Sequence, residues 1–366
     1  MPETVPARRA VGYALNVFPY ETLDGLWNCL EGDVLEIKER VFPREVFPIE
    51  ARFSERLVNE LLQDCDRVAR LKYFLDTHDL ALVTVNGFVM PHFHGERVKE
   101  RVYLPAWQES DARARFTSSC LNLIAQLAPQ EIEFASVSVP FGALKPVTMD
   151  AVAPNIIRCA EHAAELHKRT GMRCIVALEP EPGLCVETTP ESVEFFDRFV
   201  PENLRHYLGV NLDLSHQLVE FENLAESVKL LRQHGVPIAK IHVSNAAEMT
   251  ALRPFHDDSI YLHQVCGLNA KGTHSYFSLD WPTQPPPPDI VRFRVHYHLP
   301  VCPAEISSTL AEVEEFLSNP PPLDYSVPFI IETYTWTERA PAQERLVDNI
   351  CRELTWVRQK ISLSRP

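Results

Sequence analysis

The sequence predicts a (β/α)₈ barrel with a metal site at the C-terminal ends of its strands. Strand-like and helix-like segments alternate along most of the 366 residues, which is typical of a mainly parallel sheet. Four apolar runs each end on a metal-binding side chain, in the order Glu179, Asp213, His242 and Glu332. A carboxylate or imidazole at the end of a buried strand is costly unless its charge is compensated. Because catalytic residues of (β/α)₈ barrels lie at the C-terminal ends of different strands, we expect these four tips to converge on one cation.

The sequence contains nine apolar and β-branched segments, one more than the number of strands in the barrel. Since a (β/α)₈ barrel has eight parallel strands, one of nine is expected to pair outside it. A length of 366 residues is ordinary for a barrel with insertions, so residues 1–366 are predicted to form a single barrel domain. The nine predicted strands are residues 12–18, 47–53, 80–86, 131–139, 174–180, 207–213, 238–244, 292–299 and 328–334.

Apolar residues three and four apart predict helices between the strands. One such stripe follows Ser54, a favourable capping residue, and an alanine-rich one stops at Gly171, a common C-terminal signal. The predicted helices cover residues 54–70, residues 150–170, a segment that begins at Thr189-Pro190, and residues 222–234.

Two connections are too long to be simple turns. Residues 87–110 and 245–290 each follow a predicted strand, and the second ends in a run of prolines. Loops longer than about 12–15 residues are usually functional lids or disordered segments. Both insertions are therefore expected to lie over the barrel mouth, on the same face as the ligand candidates.

Composition limits the partners and the compartment. The formal net charge of −15 disfavours DNA and anionic membranes, which bind mainly through Lys and Arg. We find no signal peptide and no apolar run near the roughly 20 residues that span a bilayer. Nine cysteines without a CxxC pair are typical of scattered thiols in a reducing compartment. The sequence predicts a cytoplasmic protein with a small-molecule partner, no nucleic acid and no membrane insertion, and leaves the oligomeric state open.

The segment LEPEPG offers two rival carboxylates. Glu179 and Glu181 point to the same side if the strand continues through both. Pro180 and Pro182 indicate that the strand ends here, which favours Glu179, although Glu181 remains open as the ligand.

The other strand ends differ in how strongly they indicate a metal. Asp213 and His216 form a D-x-x-H pair directly after an apolar run. His242 is flanked by apolar residues and fits a buried core histidine as well as a ligand. Glu332 follows three apolar residues and needs a cation or a strong donor. The aromatic residues Tyr334 and Trp336 just beyond it are expected to form a pocket wall.

Two pairs of alternating histidines add further candidates. His296 and His298 share one strand face, so they either grip a zinc-like ion or form an exposed polar surface. His92 and His94 have the same spacing in a loop-like segment. Mixed imidazole and carboxylate ligands favour Mn²⁺, Zn²⁺ or Co²⁺ over Ca²⁺ or a thiolate site, and Cys185 is expected to be structural.

The order Glu, Asp, His, Glu resembles the xylose-isomerase-like barrels of the sugar-phosphate isomerase/epimerase superfamily, in which these four residue types bind one divalent ion. A closer resemblance, over nearly the whole chain, is to the metabolite-traffic barrel proteins of bacterial ebo-type clusters. Two residues depart from that pattern. Phe18 stands where a histidine is usual and Ser215 where a cysteine is common, and the first implies a different substrate or reduced activity. The matching motifs are NGF, FHGERVKERVYLPAW, LEPEPG, DLSHQLVEFE, KIHVSNA, YLHQV, HYHLP and ETYTW.

The resemblance implies a metal-dependent sugar or sugar-phosphate isomerase or epimerase. It would use Mn, Zn, Fe or Co and act on a small polyhydroxylated or carbonyl metabolite through an enediolate. Glu179 and Glu332 would bind the metal and transfer protons, while Asp213 and His242 would complete the ligand set. The residues expected to contact substrate are His216, His94, Asn86, Tyr334 and Trp336.

Two alternatives remain open. The first is a non-catalytic metabolite-binding or traffic protein with the same metal pocket. The second is a multinuclear metal-dependent hydrolase that resembles the endonuclease IV type. In that case the further metal ligands would be His94, His216, His296 and His298.

Overall fold

Eight parallel strands close into a barrel in the computed structural model, which describes residues 9–90, 97–253, 260–302, 307–324, 326–333 and 345–363. Around the barrel the order is β1-β12-β7-β6-β5-β4-β3-β2. The predicted (β/α)₈ barrel is therefore confirmed. The strands in chain order are β1 (Val11–Ala14), β2 (Phe47–Arg52), β3 (Leu80–Asn86), β4 (Ala135–Pro140), β5 (Cys174–Glu179), β6 (Leu208–Asp213), β7 (Ile238–Val243), β8 (Asn245–Met249), β9 (Val265–Asn269), β10 (His274–Ser278), β11 (Ile290–Leu299) and β12 (Phe329–Ile331).

Helices connect and cover the barrel strands, and local sequence signals set their ends. The long helix before β5 ends where Gly171 adopts a positive φ of 77°. The predicted helix 54–70 is two helices, because Asp64 caps a new one by accepting a hydrogen bond from the amide of Asp66 at 2.9 Å. The α-helices are α1 (Leu23–Cys29), α2 (Leu35–Val41), α3 (Glu55–Leu62), α4 (Cys65–Thr77), α5 (Ala112–Leu127), α6 (Met149–Thr170), α7 (Thr189–Phe199), α8 (Leu214–Val219), α9 (Leu224–Gln233), α10 (Leu310–Ser318) and α11 (Leu346–Leu363).

One of the nine predicted strands, residues 292–299, lies outside the barrel. It is β11, which pairs antiparallel with β8 and β9 in a four-stranded sheet of order β10-β9-β11-β8. The sequence predicts a long loop over 245–290, but this segment supplies β8, β9 and β10. The hairpin β9–β10 turns at Gly272, whose φ is 76°, while the side chain of Asn269 accepts hydrogen bonds from the turn amides. Because its strands are short and contain polar residues, the pattern of apolar residues does not predict this sheet.

No helix among the described ranges is long and apolar enough to cross a membrane.

Candidate metal centre

Four barrel strands bring the predicted ligands together. Glu179 ends β5, Asp213 ends β6, His242 lies in β7, and Glu332 directly follows β12. All four are buried, and one ligand atom from each lies within 4.8 Å of the others. We call these residues the four-residue cluster.

The spacing within the four-residue cluster is that of a coordination sphere. His242 Nδ1 lies 2.9 Å from Glu332 Oε2, 3.1 Å from Glu179 Oε1 and 3.5 Å from Asp213 Oδ2. Ligand atoms bonded to one metal at about 2.0–2.2 Å, at octahedral or tetrahedral angles, are about 2.8–3.6 Å apart. The three distances from His242 Nδ1 therefore suit ligands of one divalent cation.

Two carboxylate oxygens of the cluster lack a hydrogen-bond partner among the described residues. They are Glu179 Oε2 and Asp213 Oδ2, both buried. Glu332 differs, because its Oε1 accepts from Asn16 Nδ2 at 2.7 Å and Asn86 Nδ2 at 3.2 Å. Buried anionic oxygens without donors are costly, so a cation bound by these carboxylates would remove a penalty.

Electrostatics within the cluster indicate the same need for positive charge. Burial lowers the pKa of His242, but the carboxylates of Glu332, Glu50 and Glu179 raise that pKa well above its ordinary value. Burial raises the pKa of Glu332, yet His242 and His298 bring the pKa of this carboxyl below its ordinary value. Either a proton or a metal ion must offset the carboxylates.

A buried charge network orients His242 from behind. Its Nε2 lies 3.1 and 3.2 Å from the two oxygens of Glu50, which pairs with Lys240, and Lys240 Nζ donates to Ser138 Oγ at 2.9 Å. Burial raises the pKa of Glu50, but the charges of Lys240 and His242 lower it to about 2. If His242 binds a metal as a neutral ring, its Nε2–H would donate to this carboxylate and its Nδ1 lone pair would face the cluster. A carboxylate behind a metal-binding histidine has this effect on ring orientation and basicity.

Three further imidazoles meet beside the four-residue cluster. The Nε2 atoms of His216 and His296 are 3.1 Å apart, and those of His296 and His298 are 2.9 Å apart. We call these three buried residues the histidine cluster. Since all are buried, the alternative that His296 and His298 form an exposed polar surface is wrong.

Hydrogen bonds fix two of these rings with Nε2 directed inward. Nδ1 of His216 donates to the carbonyl of Pro180 at 2.9 Å, and Nδ1 of His296 donates to Gln264 Oε1 at 2.7 Å. Each neutral ring therefore points a lone pair at the centre. Burial, followed by the charges of His216 and His298, lowers the pKa of His296 well below its ordinary value. A cation, whether a proton or a metal, is needed between such facing lone pairs.

Glu181, the rival ligand, lies beside the histidine cluster. Its Oε1 accepts from Tyr103 Oη at 2.7 Å and Gln264 Nε2 at 2.8 Å, and lies 3.4 Å from His296 Nδ1. Burial raises the pKa of Glu181 to about 7. The structure thus places Glu179 in the four-residue cluster and Glu181 in the support of His296.

A small cavity of about 70 Å³ opens over both clusters. Its lining includes Glu179, His216, Glu332 and Asn86. The predicted contacts His94, Tyr334 and Trp336 lie outside the described residues. Apolar side chains wall the cavity, and these are Phe88, Val89, Val102, Tyr261 and Leu262.

Known structures share this architecture at low sequence identity. A xylose isomerase-like TIM barrel protein from Mycobacterium smegmatis, solved with magnesium, aligns over 98% of each chain with a TM-score of 0.52 and 13% identity. The protein has the xylose-isomerase-like barrel fold. The IolI protein with a bound zinc atom aligns over 97% of this chain and 96% of its own, with a TM-score of 0.50 and 12% identity.

A third structure with this barrel is the probable 3-DHS dehydratase AsbF of petrobactin synthesis from Bacillus anthracis. It covers 96% of this chain and 98% of its own, with a TM-score of 0.50 and 11% identity. No model of a known protein family and no curated protein matches the sequence. The predicted xylose-isomerase-like fold is confirmed, while the closer resemblance to ebo-type proteins stays a prediction.

Sequence reasoning missed several residues that support the site of this xylose-isomerase-like barrel. Glu50 and Lys240 interrupt the otherwise apolar segments FPIEARF and IAKIHVS, which is a usable signal of buried charge. Tyr103 and Gln264 come from the two long insertions and lie within the motifs FHGERVKERVYLPAW and YLHQV, but neither was singled out as a site residue. Asn16 follows β1, and only its contact with Glu332 shows its role.

Proposed function

We propose that this barrel is a divalent-metal-dependent isomerase or epimerase of a small polyhydroxylated or carbonyl metabolite. The observation that carries the proposal concerns Glu179. One of its oxygens belongs to the four-residue cluster, and the other, Oε2, is buried with no hydrogen-bond partner among the described residues, in a side chain that lines the cavity. Such an oxygen suits a proton acceptor close to a bound substrate.

The metal would be held by Glu179, Asp213, His242 and Glu332. Mn, Zn, Fe and Co suit this mixture of carboxylate and imidazole ligands. When bound, such an ion polarises a substrate carbonyl and makes the neighbouring C–H more acidic.

The remaining side chains support distinct roles for the two glutamates. Both oxygens of Glu332 are engaged, Oε1 by Asn16 and Asn86 and Oε2 near His242 and His298. Glu332 is therefore a firmly positioned ligand, and Glu179 is the stronger proposal for the group that takes the substrate proton. Apolar side chains line one part of the cavity, and its small volume favours a small metabolite.

Carbon-bound proton exchange tests this proposal. We expect the wild-type protein to exchange a proton of a keto-sugar or polyol substrate with deuterated water. Glu179→Gln should reduce the exchange rate by about 10²–10⁴-fold because the amide cannot accept the proton. Glu332→Gln should also abolish exchange, through loss of a metal-ligand charge. Proton NMR of a substrate panel in deuterated water measures both.

Glu222→Gln is the control, since Glu222 is a partly buried carboxylate that accepts hydrogen bonds from Thr189 outside the cavity. Exchange should persist in this variant. The wild-type protein could instead bind a metabolite of the panel tightly and show no exchange. That result would contradict the enzyme proposal and favour a non-catalytic carrier.

A second candidate, a multinuclear metal-dependent hydrolase, is favoured by the histidine cluster. Adjacent metal ions can clamp the attacking and leaving oxygens of a displacement. His298 links the two clusters, because its Nδ1 lies 3.4 Å from Glu332 Oε2 and 3.9 Å from Asp213 Oδ2.

Metal stoichiometry separates a mononuclear from a multinuclear barrel centre. If the histidine cluster holds a metal, His296→Ala and His298→Ala should each lower the metal content by one ion per chain while the protein stays folded. Elemental analysis with circular dichroism checks both points. His162→Ala is the control, because His162 lies on α6 and contacts Asn122. Full metal content in both cluster variants would remove the main support for the hydrolase.

A further inference from the structure

We propose that Glu220, Cys266 and His274 form a separate zinc-type site that fastens the four-stranded sheet to α8. These three residues, the hairpin cluster, offer one ligand atom each within 4.8 Å of one another. None belongs to the four-residue cluster or the histidine cluster. The inference goes beyond the proposed function and does not depend on it.

The three residues come from elements that the fold must hold together. Glu220 is the C-cap of α8, the helix that carries His216. Cys266 lies in β9, and His274 begins β10 of the same hairpin. A shared ion would therefore join a helix of the barrel to the edge of the outer sheet.

The carboxylate of Glu220 faces the other two donors with a different oxygen each. Cys266 Sγ lies 3.4 Å from Glu220 Oε1, and His274 Nδ1 lies 3.5 Å from Glu220 Oε2. With Zn–S bonds of about 2.3 Å and Zn–N or Zn–O bonds of about 2.0–2.2 Å, tetrahedral ligand atoms are about 3.3–3.7 Å apart. Because the side chain of His274 is 36% exposed, the site has access to solvent for a fourth ligand.

Charge gives a second, independent reason for a cation. The side chain of Glu220 is only 2% exposed, and among the described residues no Lys or Arg nitrogen lies within ion-pair distance of it. The ammonium of Lys145 pairs with Glu187 instead.

The donor types identify the class of metal. A thiolate with an imidazole and a carboxylate suits Zn²⁺ and its substitute Co²⁺, whereas Mg²⁺ and Ca²⁺ prefer oxygen ligands. Neither of the two barrel clusters contains a sulfur ligand. Thiolate ligation is therefore a signature that separates the hairpin cluster from the barrel centre.

Cobalt titration of the full-length, metal-depleted protein tests the proposal. We expect a near-ultraviolet thiolate-to-cobalt charge-transfer band that saturates at one ion per chain. Cys266→Ser should abolish the band, and His274→Ala should weaken cobalt affinity at this site by at least tenfold. Asp213→Asn should leave the band unchanged, because Asp213 belongs to the barrel centre.

Cys65→Ser is the matched control, since Cys65 is an exposed cysteine between Asp64 and Asp66. The band should survive in this variant. The proposal is overturned if the wild type shows no band although cobalt binds at the barrel. It is also overturned if Cys266→Ser keeps the band, or if Cys65→Ser loses it. If Cys266→Ser does not fold, His274→Ala tests the site instead, because His274 is partly exposed. An unchanged cobalt affinity in the His274→Ala variant rejects the site.

Discussion

Replacing Asp213 by Asn is expected to abolish metal binding at the four-residue cluster while leaving the following helix intact. Oδ1 of Asp213 caps α8 by accepting from the amide of His216 at 2.9 Å, and Asn is an equally good cap. Oδ2 faces the cluster, where an amide NH₂ cannot act as a ligand. A metal present at about 100 times its Kd stabilises the wild type by about 2.7 kcal/mol, and the variant should lose this stabilisation. Elemental analysis and thermal unfolding with and without chelator measure the two effects.

The same substitution at another helix cap serves as the control for Asp213→Asn. Asp64 caps α4 on the protein surface, so Asp64→Asn should keep the metal and its chelator-sensitive stability. If Asp213→Asn retains a full complement and the same response to chelation, the four-residue cluster is not the metal site.

Replacing Lys240 by Met is expected to destabilise the protein by about 3–5 kcal/mol, because removal of one partner of a buried ion pair leaves the other charge uncompensated. Lys240 and Glu50 are both fully buried, and they belong to strands that are not neighbours in the barrel. The double variant Lys240→Met/Glu50→Gln should recover much of the loss, since it removes the stranded charge as well. Denaturant unfolding in the presence of chelator measures each free energy without a contribution from bound metal.

Lys168→Met tests whether loss of any lysine has this effect. Lys168 pairs with Glu165 on the surface of α6, where its side chain is 70% exposed, so no measurable change in stability is expected. A Lys240→Met variant as stable as the wild type would show that Glu50 needs no ammonium partner, and that His242 alone compensates it.

Much of the fold could be predicted because strand ends and apolar runs are local features. Glu179 and Asp213 close their strands where the sequence places them, and Glu332 directly follows the short strand β12. A strand outside the barrel was also predictable, because the sequence predicts nine strands and the barrel has eight. Its location became clear only from pairing partners in 245–290, where short strands with polar residues give little apolar signal.

The support of the site could not be predicted, because it depends on pairs far apart in sequence. Lys240 and Glu50 are 190 residues apart and meet only when the barrel closes. No periodicity within either segment specifies that partner. The hydrogen bond between Gln264 and His296 likewise requires the antiparallel pairing of the outer sheet.

The contacts of Lys240 and His242 with Glu50 also favour the correct register of β7 when the barrel assembles. Both residues of β7 face the barrel interior, two positions apart, and meet a carboxylate from β2. A slip of β7 by one residue would turn both side chains outward and leave Glu50 as a lone anion in an apolar interior. A fragment that ends before β7 carries the same defect. The unpaired charge lowers the stability of misaligned and partial barrels. The buried charges therefore favour the closed eight-stranded form.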